Sequence, residues 1–224
     1  MREHGIRRTM FEELQFWDDV ESRTPESQMA TDEALFRVAC APVLRSYRWA
    51  GPAVTFGYSQ KTGDVLPLAC GLPIVRRWTG GGVVFHGGDL TLALIIPRSA
   101  PQAGWQAADL YNAIHESIRA VLAAPGVRLA GGGDVVPGAE CFASPACGDL
   151  LEGSRKVCGG AMRRTRSGVI YQGSIQSNKL PAHGAVAASL AGRIVTFRPP
   201  EDFDEIAGRI AGEKYAADWW RNLR

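Results

Sequence analysis

The chain has 224 residues, of which 46% are hydrophobic and 21% are charged, and its formal net charge is +2. That length and composition predict one globular domain with a substantial core. A charge so close to zero excludes the basic footprint of a dedicated nucleic-acid binder, and no apolar run approaches the roughly 20 residues that a membrane-spanning helix needs.

The N terminus and the cysteines predict a cytoplasmic protein without a structural metal. The polar first four residues carry no apolar signal-peptide core. The cysteine count is odd and no C-x-x-C pair occurs, which argues against a disulfide framework and a zinc ribbon. The cysteines are Cys40, Cys70, Cys141, Cys147 and Cys158. The four histidines form no H-E-x-x-H motif, so we expect no metal site.

In chain order, the first predicted elements are strands and one helix. Strand-forming runs occupy residues 14–17, 43–47 and 53–58. Between the first two runs, Thr24 caps a helix that extends to about Cys40. The apolar spacing predicts an amphipathic helix with Asp32 and Glu33 towards solvent. Residues 59–73 are rich in turn formers, which predicts an irregular connection.

Three consecutive glycines separate two strand-like runs in the central stretch 76–97. They are Gly80, Gly81 and Gly82. Such a run costs conformational entropy and fills no core, so it suits a backbone that approaches a ligand closely or adopts positive φ. We expect the two runs to pair as a hairpin, which would bring Arg77 and His86 to the same space. A plain glycine-rich hairpin with a surface arginine is the alternative.

The second half of the chain begins with a helix and continues as strands. Residues 102–124 have helical spacing, and His115 is expected to be a satisfied, partly buried side chain in that helix. A glycine-rich loop, residues 131–148, follows. Strand-like runs then occupy residues 149–152, 155–160 and 169–175.

Antiparallel hairpins with a few segregated helices predict an α+β fold, with a mixed, largely antiparallel β-sheet and the helices packed against one of its faces. No strand leads into a helix at the triple glycine, which disfavours a Rossmann or P-loop fold. No repeat or linker divides the chain, so we expect a single domain over residues 1–224. Within it, we expect residues 177–224 to form a helical C-terminal extension, with no large accessory domain.

Lys156 lies on a predicted strand that glycines bracket on both sides. A lysine pointing inward there stays charged only if an anion meets it, such as a carboxylate or a phosphate. A surface lysine on an edge strand is the alternative. Arg77, the triple glycine, His86 and Asp149 also fall at the ends of predicted hairpins. If one sheet brings these groups together, they form a cationic pocket suited to a carboxylate or acyl-phosphate ligand.

These motifs resemble, in order and spacing, the catalytic domain shared by lipoate-protein ligases, octanoyltransferases and biotin-protein ligases. The resemblance covers about residues 14–176. The matching motifs include Arg76-Arg77-x-Thr79-Gly80-Gly81-Gly82-x-Val84-x-His86, Asp89-Leu90-Thr91, Asp149, Arg155-Lys156-Val157, Gly159-Gly160-Ala161 and Gln172-Gly173-Ser174-Ile175. The resemblance implies an enzyme that attaches a lipoyl or octanoyl group, through an amide, to a lysine of a lipoyl domain. Such domains occur in 2-oxoacid dehydrogenase complexes and in the glycine cleavage H protein.

The resemblance also implies roles for individual residues. Lys156 matches the lysine that holds the activated acyl carbonyl, and Asp149 matches an acidic residue near an adenylate and its magnesium. Arg77 and the glycine backbone match the lipoate and nucleotide pocket, with His86 as its wall. The other matched substrate-binding positions are Thr79, Gly159 and Ala161. In the ligases, ATP and Mg²⁺ first convert lipoate or octanoate into an acyl-adenylate.

Two mechanisms are open within this family. The uninterrupted triple glycine resembles the ligases, and we therefore take a lipoate-protein ligase as the first interpretation. Cys141 followed by phenylalanine resembles instead one group of octanoyltransferases, in which the cysteine takes octanoyl from acyl carrier protein as a thioester without ATP. A thiolate near Lys156 and Arg77 would be a competent nucleophile. Cys147 is a weaker candidate, and so is Cys158, which is expected on the same strand face as Lys156.

Three further alternatives bear on function. Cys141 can be an inert loop thiol. A non-catalytic module that binds an acyl group or a lipoyl domain would keep the pocket and perform no chemistry. A biotin ligase fits less well, because no DNA-binding or C-terminal module is present. The segment after residue 176 is also too short for the accessory domain of the long ligases, which suggests a separate partner or transfer from an acyl carrier.

Overall fold

The computed structural model describes residues 9–122, 126–135 and 145–223. These residues form an eight-stranded sheet and a three-stranded sheet. The strands are β1 (Phe11–Asp19), β2 (Val43–Tyr47), β3 (Ala53–Phe56), β4 (Ile74–Arg76), β5 (Val84–His86), β6 (Leu90–Pro97), β7 (Val127–Leu129), β8 (Leu150–Glu152), β9 (Arg155–Thr165), β10 (Gly168–Ile175) and β11 (Ala191–Thr196). The helices are α1 (Pro25–Val38), α2 (Thr62–Ala69), α3 (Ala107–Leu122), α4 (His183–Leu190), α5 (Phe203–Ile210) and α6 (Asp218–Arg221). None of the helices in the described ranges has the length and apolar character needed to cross a bilayer.

The large sheet has the strand order β11-β1-β2-β6-β10-β9-β8-β7. β11 and β2 are each parallel to β1, whereas the pairings from β2 through to β7 are antiparallel. The predicted α+β class with a mixed, largely antiparallel sheet is confirmed. The predicted hairpin of β8 and β9 is also present, and Gly153 in its turn has a φ of +63°, which glycine adopts without strain.

Strand β6 is buried along its whole length, and its side chains alternate between two cores. Leu92 and Leu94 pack in the cluster that contains residues of α3 and α4. Ala93 and Ile95 pack in the cluster that contains residues of α1, α5 and α6. Helices therefore cover both faces of the large sheet, and the prediction of helices on one face was wrong. The uninterrupted apolar run of β6 is typical of a strand that is buried on both sides.

Local sequence signals correctly located the two longest helices. Helix α1 begins after Thr24, whose hydroxyl accepts a hydrogen bond from the Ser27 N–H. Helix α3 lies within the predicted range 102–124. His115 of α3 is buried and shares a 2.9 Å hydrogen bond with the Tyr171 hydroxyl, and burial lowers the pKa of His115 to about 4.

The acidic residues of α1 are buried, so the prediction that they face solvent was wrong. Asp32 is fully buried and accepts a 2.5 Å hydrogen bond from Arg45 of β2. Burial raises the pKa of Asp32, and the charge of Arg45 opposes that effect. Glu33 is 3% exposed and accepts a 2.6 Å hydrogen bond from Lys214 near the C terminus. A prediction from helical periodicity assumes that carboxylates face solvent. Here cations from distant segments pair with the two carboxylates and make their burial possible.

The small sheet has the order β4-β3-β5, with β4 parallel and β5 antiparallel to β3. The runs on either side of the triple glycine thus flank β3 instead of pairing with each other, and the predicted hairpin was wrong. The glycine loop, defined as residues 79–82, passes against Gly57 at the end of β3. A methyl group on Gly57 would lie 1.9 Å from the Gly81 carbonyl oxygen, and Gly81 has a φ of +87°. The glycines therefore permit backbone to approach backbone.

Two segments contain elements that the sequence did not indicate. Helix α2 lies within residues 59–73, where an irregular connection was predicted. Residues 177–224 contain helices, as expected for a helical extension, and also strand β11, which was not predicted. β11 pairs with β1, with Ile194 opposite Leu14. This pairing joins two segments that are far apart in the sequence, and no local pattern specifies it.

Arg76 fastens the C-terminal segment to the small sheet. Its side chain is buried, and its guanidinium donates hydrogen bonds to backbone carbonyls from both segments. The acceptors include Tyr58 (2.6 Å), Gln60 (2.6 Å), Trp220 (2.8 Å), Arg221 (2.7 Å) and Leu223 (3.1 Å). The adjacent Arg77 points instead towards Thr55 of β3 and the glycine loop. Arg76 is therefore a structural residue, whereas Arg77 belongs to the candidate site.

Candidate active site

A cavity lies between the small sheet and strands β9 and β10 of the large sheet. Its wall brings together Lys156 of β9, Arg77 just after β4, and His86 of β5. Apolar parts of the wall come from Met29, Trp49, Val84 and Ala161. Gly159 also lines the cavity. The cavity thus combines an apolar lining with cationic and polar groups, a combination typical of small-molecule sites.

Lys156 points into the protein rather than into bulk water. Its residue is 5% exposed, and its Nζ lies 2.7 Å from Oδ2 of Asp149, which is 1% exposed. The anion that a buried lysine requires is therefore a carboxylate of the same chain. The pair places an ammonium at the cavity wall, where it can meet an oxyanion or a carbonyl oxygen of a bound molecule.

Asp149 is held by two further hydrogen bonds. The Tyr111 hydroxyl donates to Oδ1 at 2.5 Å, and the Ala146 N–H donates to Oδ2 at 2.6 Å. Both carboxylate oxygens are therefore already engaged by donors, Lys156 included. Within the described ranges, no three His, Cys, Asp or Glu side chains lie close enough together to hold a metal ion. This donor set does not fit the magnesium that the resemblance implies beside Asp149.

A β-bulge determines which way the β9 side chains point. The register between β8 and β9 shifts so that Leu151 lies opposite Lys156 and Leu150 opposite Cys158, which leaves one extra residue in β9. The extra residue reverses the alternation, so Lys156 lines the cavity while Cys158 lies in the core on the α3 side. The expectation that they share a strand face was wrong. Burial raises the pKa of the Cys158 thiol, which makes it a poor nucleophile.

Gly159 leaves room for the Lys156 side chain. A methyl group added to Gly159 would lie 2.2 Å from Cε and 2.5 Å from Nζ of Lys156. It would also lie 3.1 Å from Oδ1 of Asp149. The side chain of Lys156 therefore passes directly over this glycine. Gly159 thus makes room for the ion pair in addition to lining the cavity.

The Arg77 side chain makes several hydrogen bonds within the protein. Its guanidinium donates hydrogen bonds to Thr55 Oγ1 at 2.7 Å and to the carbonyls of Gly80 and Gly82, both at 2.9 Å. Arg77 therefore shapes the glycine loop in addition to lining the cavity. The fork geometry of arginine suits this task, because one planar group can hold several acceptors at fixed angles.

Thr79 holds the other end of the glycine loop. It is fully buried, and its hydroxyl donates to Gln172 Oε1 of β10 at 2.8 Å, while Gln172 donates to Asp32 at 2.6 Å. Thr79 and the three glycines do not line the cavity, and Gly81 is exposed to solvent. The predicted substrate-binding positions thus divide into residues that line the cavity and residues that support it.

His86 is fixed between two hydrogen bonds and an aromatic ring. Its Nδ1 lies 2.8 Å from Asp89 Oδ2 and its Nε2 lies 2.8 Å from Thr55 Oγ1. The imidazole stacks on Trp49 at a centroid distance of 4.2 Å. Burial acts to raise the pKa of Asp89, but hydrogen bonds from His86, Ser174 and a neighbouring threonine outweigh it and hold that pKa below its ordinary value.

Sequence reasoning missed several cavity residues. Gln172 and Ser174 could have been found, because they alternate along an otherwise apolar strand and so share one face. Thr55 carries no such signal, since a threonine in a strand is common. Cys141, the candidate nucleophile, lies outside the residues that the structure describes.

Comparisons with known proteins agree with this geometry. Residues 24–183 match the family described as the lipoyl protein ligase A/B catalytic domain. The octanoyltransferase LipM of Symbiobacterium thermophilum is 36% identical over 175 residues, which cover 70% of this chain and 63% of that protein. LipM of an Exiguobacterium species is 30% identical over 173 residues, covering 69% of this chain and 63% of the relative. The chain therefore spans less than two thirds of the length of these relatives.

Solved structures show the same fold. A lipoate-protein ligase A bound with ATP superposes with a TM-score of 0.70 at 19% identity, covering 93% of this chain and 98% of that one. One chain from the bipartite lipoate protein ligase system of Thermoplasma acidophilum, which was studied with its E2 lipoyl domain, superposes with a TM-score of 0.61 at 18% identity. That match covers 96% of this chain and 98% of the other. At such identities the likeness is one of fold.

Proposed function

The chain belongs to the family of lipoyl protein ligase A/B catalytic domains, and from that premise we propose that it transfers an octanoyl group from acyl carrier protein to a lysine of a lipoyl domain. Such acceptor domains are those of 2-oxoacid dehydrogenase complexes or the glycine cleavage H protein. The sequence alone favoured ATP-dependent ligation. The names of the LipM relatives support octanoyl transfer instead.

The observation that carries this proposal is the buried ammonium of Lys156 at the wall of an apolar cavity. An octanoyl chain would lie along Met29, Trp49 and Val84, and its carbonyl would face Lys156. Attack on that carbonyl creates an oxyanion, and a fixed cation in a site that excludes water stabilises developing charge strongly. Asp149 keeps the ammonium in place between turnovers, since the two groups lie 2.7 Å apart.

The proposed reaction has two acyl-transfer steps. In the first, the Cys141 thiolate attacks the thioester of the octanoyl carrier, the carrier thiolate leaves, and octanoyl-Cys141 forms. In the second, the neutral amine of the acceptor lysine attacks this thioester, the Cys141 thiolate leaves, and an amide forms as the amine loses a proton. Lys156 would stabilise the oxyanion of both tetrahedral intermediates. No ATP is consumed, because the carrier thioester is already activated.

An ATP-dependent lipoate ligase is the second candidate. The uninterrupted triple glycine and the fold likeness to a lipoate-protein ligase A bound with ATP favour it. It would use free lipoate or octanoate as its acyl substrate. Because the donors around Asp149 do not fit magnesium as they stand, we derive no step through that metal.

Intact mass spectrometry tests the two candidates directly. The protein is incubated with octanoyl-acyl carrier protein and a lipoyl domain, and separately with lipoate, ATP and the lipoyl domain. The proposal expects one octanoyl group on the lipoyl domain without ATP, and a hydroxylamine-labile octanoyl adduct on the enzyme. Modification only in the mixture with ATP would favour the ligase. A mass gain on the lipoyl domain in either mixture would exclude a non-catalytic binding module.

Replacing Gly159 with alanine is expected to lower the octanoyl transfer rate by roughly 10- to 100-fold, because the new methyl group pushes the Lys156 ammonium out of line with the acyl carbonyl. The thermal unfolding midpoint should also fall, because the methyl group disturbs the buried pair of Lys156 and Asp149, so the transfer rates are compared at a temperature at which both variants are folded. Gly208→Ala is the matched control, since a methyl there meets nothing within 4 Å. Equal activity in the two variants would contradict the role of Gly159. Transfer rates and unfolding midpoints measured in parallel decide between these results.

A further inference from the structure

Four buried side chains of the small-sheet region form a continuous hydrogen-bonded row beside the cavity. Arg77 Nη1 lies 2.7 Å from Thr55 Oγ1, Thr55 Oγ1 lies 2.8 Å from His86 Nε2, and His86 Nδ1 lies 2.8 Å from Asp89 Oδ2. All four residues are buried. The proposed transfer steps do not use the hydroxyl of Thr55, which joins Arg77 to His86 in this row.

The pairing of the strands explains why Thr55 lies between Arg77 and His86. β3 is the central strand of the small sheet, with Thr55 opposite Val75 on one side and opposite Val84 on the other. β4 leads directly to Arg77, and β5 ends at His86. The hydroxyl on β3 is therefore within reach of groups that the two outer strands deliver.

The protons in this row can be assigned from the donors available. Arginine has only N–H donors, so Arg77 must donate to Thr55 Oγ1. The structure gives the Thr55 hydroxyl no acceptor in the described ranges other than His86 Nε2. Leaving a buried hydroxyl without an acceptor is unfavourable, so the hydroxyl donates to Nε2. His86 is then neutral, and its proton lies on Nδ1, where it is donated to Asp89.

The other contacts of this region leave His86 no alternative orientation. Asp89 Oδ2 also accepts hydrogen bonds from the hydroxyls of Thr91 at 2.9 Å and Ser174 at 2.6 Å. Trp49, which stacks on the imidazole, donates from its indole N–H to Thr91 Oγ1 at 2.8 Å. The ring plane and the Nδ1 partner are thus fixed on one side. Only the Nε2 side depends on a single group, the hydroxyl of Thr55.

We propose that Thr55 is a positioning residue, whose hydroxyl holds His86 as the neutral Nδ1-protonated tautomer and ties it to Arg77 and the glycine loop. The hydroxyl keeps the wall at His86 uncharged where the acyl chain would lie. It also prevents Arg77, which holds the Gly80 and Gly82 carbonyls, from moving independently of that wall. The effect on catalysis rests on the proposed acyl transfer, whereas the assignment of the tautomer does not.

The test compares Thr55→Val, which removes the hydroxyl at nearly constant shape, with Thr55→Ser, which retains it. Long-range ¹H–¹⁵N spectra of the histidine rings at neutral pH report the protonation of Nδ1 and Nε2 separately. We expect His86 in the wild-type and Thr55→Ser proteins to have protonated Nδ1 and unprotonated Nε2. Thr55→Val should shift the Nε2 resonance. A protonated Nε2 in the wild-type protein, or a Thr55→Val spectrum identical to it, would overturn the proposal.

Kinetics supply the second readout. Thr55→Val should lower kcat/KM for octanoyl transfer by roughly 10- to 100-fold, and Thr55→Ser should restore most of it. Thr31→Val is the matched control, because Thr31 is also buried but its hydroxyl donates to the Ser27 carbonyl within α1. Failure of Thr55→Ser to recover activity would contradict the role of the hydroxyl. If the wild-type protein transfers no octanoyl group, the proposed function fails while the spectra still decide the tautomer.

Discussion

Replacing Lys156 with methionine is expected to reduce octanoyl transfer by at least about 10²- to 10³-fold, because the variant loses the cation that stabilises the oxyanion. Methionine keeps the length and most of the volume of the side chain, so the cavity wall stays closed. The rate of octanoyl appearance on a lipoyl domain, measured by mass spectrometry, checks this expectation. Full activity in the variant would remove Lys156 from the site.

Loss of stability must be separated from loss of catalysis in this experiment. Lys156→Met leaves Asp149 buried without its cation, which is expected to cost about 3–5 kcal/mol in the free energy of unfolding. Adding Asp149→Asn should recover part of this stability, because no unpaired charge stays buried. The single amide oxygen can accept from the Ala146 N–H, and the NH2 group can donate to the Tyr111 hydroxyl. The double variant should remain inactive. Arg155→Ala is the neighbouring control, since Arg155 is exposed and pairs with Glu152.

Replacing Cys141 with serine is expected to abolish octanoyl transfer from acyl carrier protein. Thiolates form near neutral pH and attack thioesters readily, whereas a serine hydroxyl without a base to activate it does not. The hydroxylamine-labile adduct on the enzyme should disappear together with the modified lipoyl domain. Cys147→Ser is the matched control, because Cys147 is an exposed thiol a short distance along the chain.

The Cys141→Ser result also discriminates between mechanisms. A lipoate ligase would keep its activity with lipoate and ATP, because an acyl-adenylate needs no enzyme nucleophile. Transfer from acyl carrier protein that continues without ATP in the serine variant would contradict the thioester mechanism itself. Lys156→Met should disable either enzyme. Lys156→Met therefore tests where the active site lies, and Cys141→Ser tests which of the two mechanisms operates.

Predictions that depended on neighbouring residues succeeded. Thr24 caps α1, and the turn at Gly153 joins β8 to β9, because caps and tight turns involve atoms a few residues apart. The apolar spacing of α3 located that helix for the same reason. Family membership was also accessible, since several motifs in a fixed order are a property of the chain itself.

Predictions that depended on which distant segments come into contact failed more often. Asp32 and Glu33 read as solvent-facing until Arg45 and Lys214 are brought to them from other elements. The runs beside the triple glycine were expected to pair with each other, yet β3 lies between them. Cys158 was expected beside Lys156, but one extra residue in β9 turns it to the opposite face.

By itself, the sequence determined the α+β class, the two longest helices, the β8–β9 hairpin and the family, because each rests on spacing along the chain. Only the tertiary structure decided which groups the individual side chains contact. Arg76 and Arg77 are adjacent, yet the first holds the C-terminal segment and the second holds Thr55 and the glycine loop. Their directions follow from the register of β4 and from contacts with distant segments. The free energy that selects those contacts comes from packing and charge pairing between parts of the chain that only folding brings together.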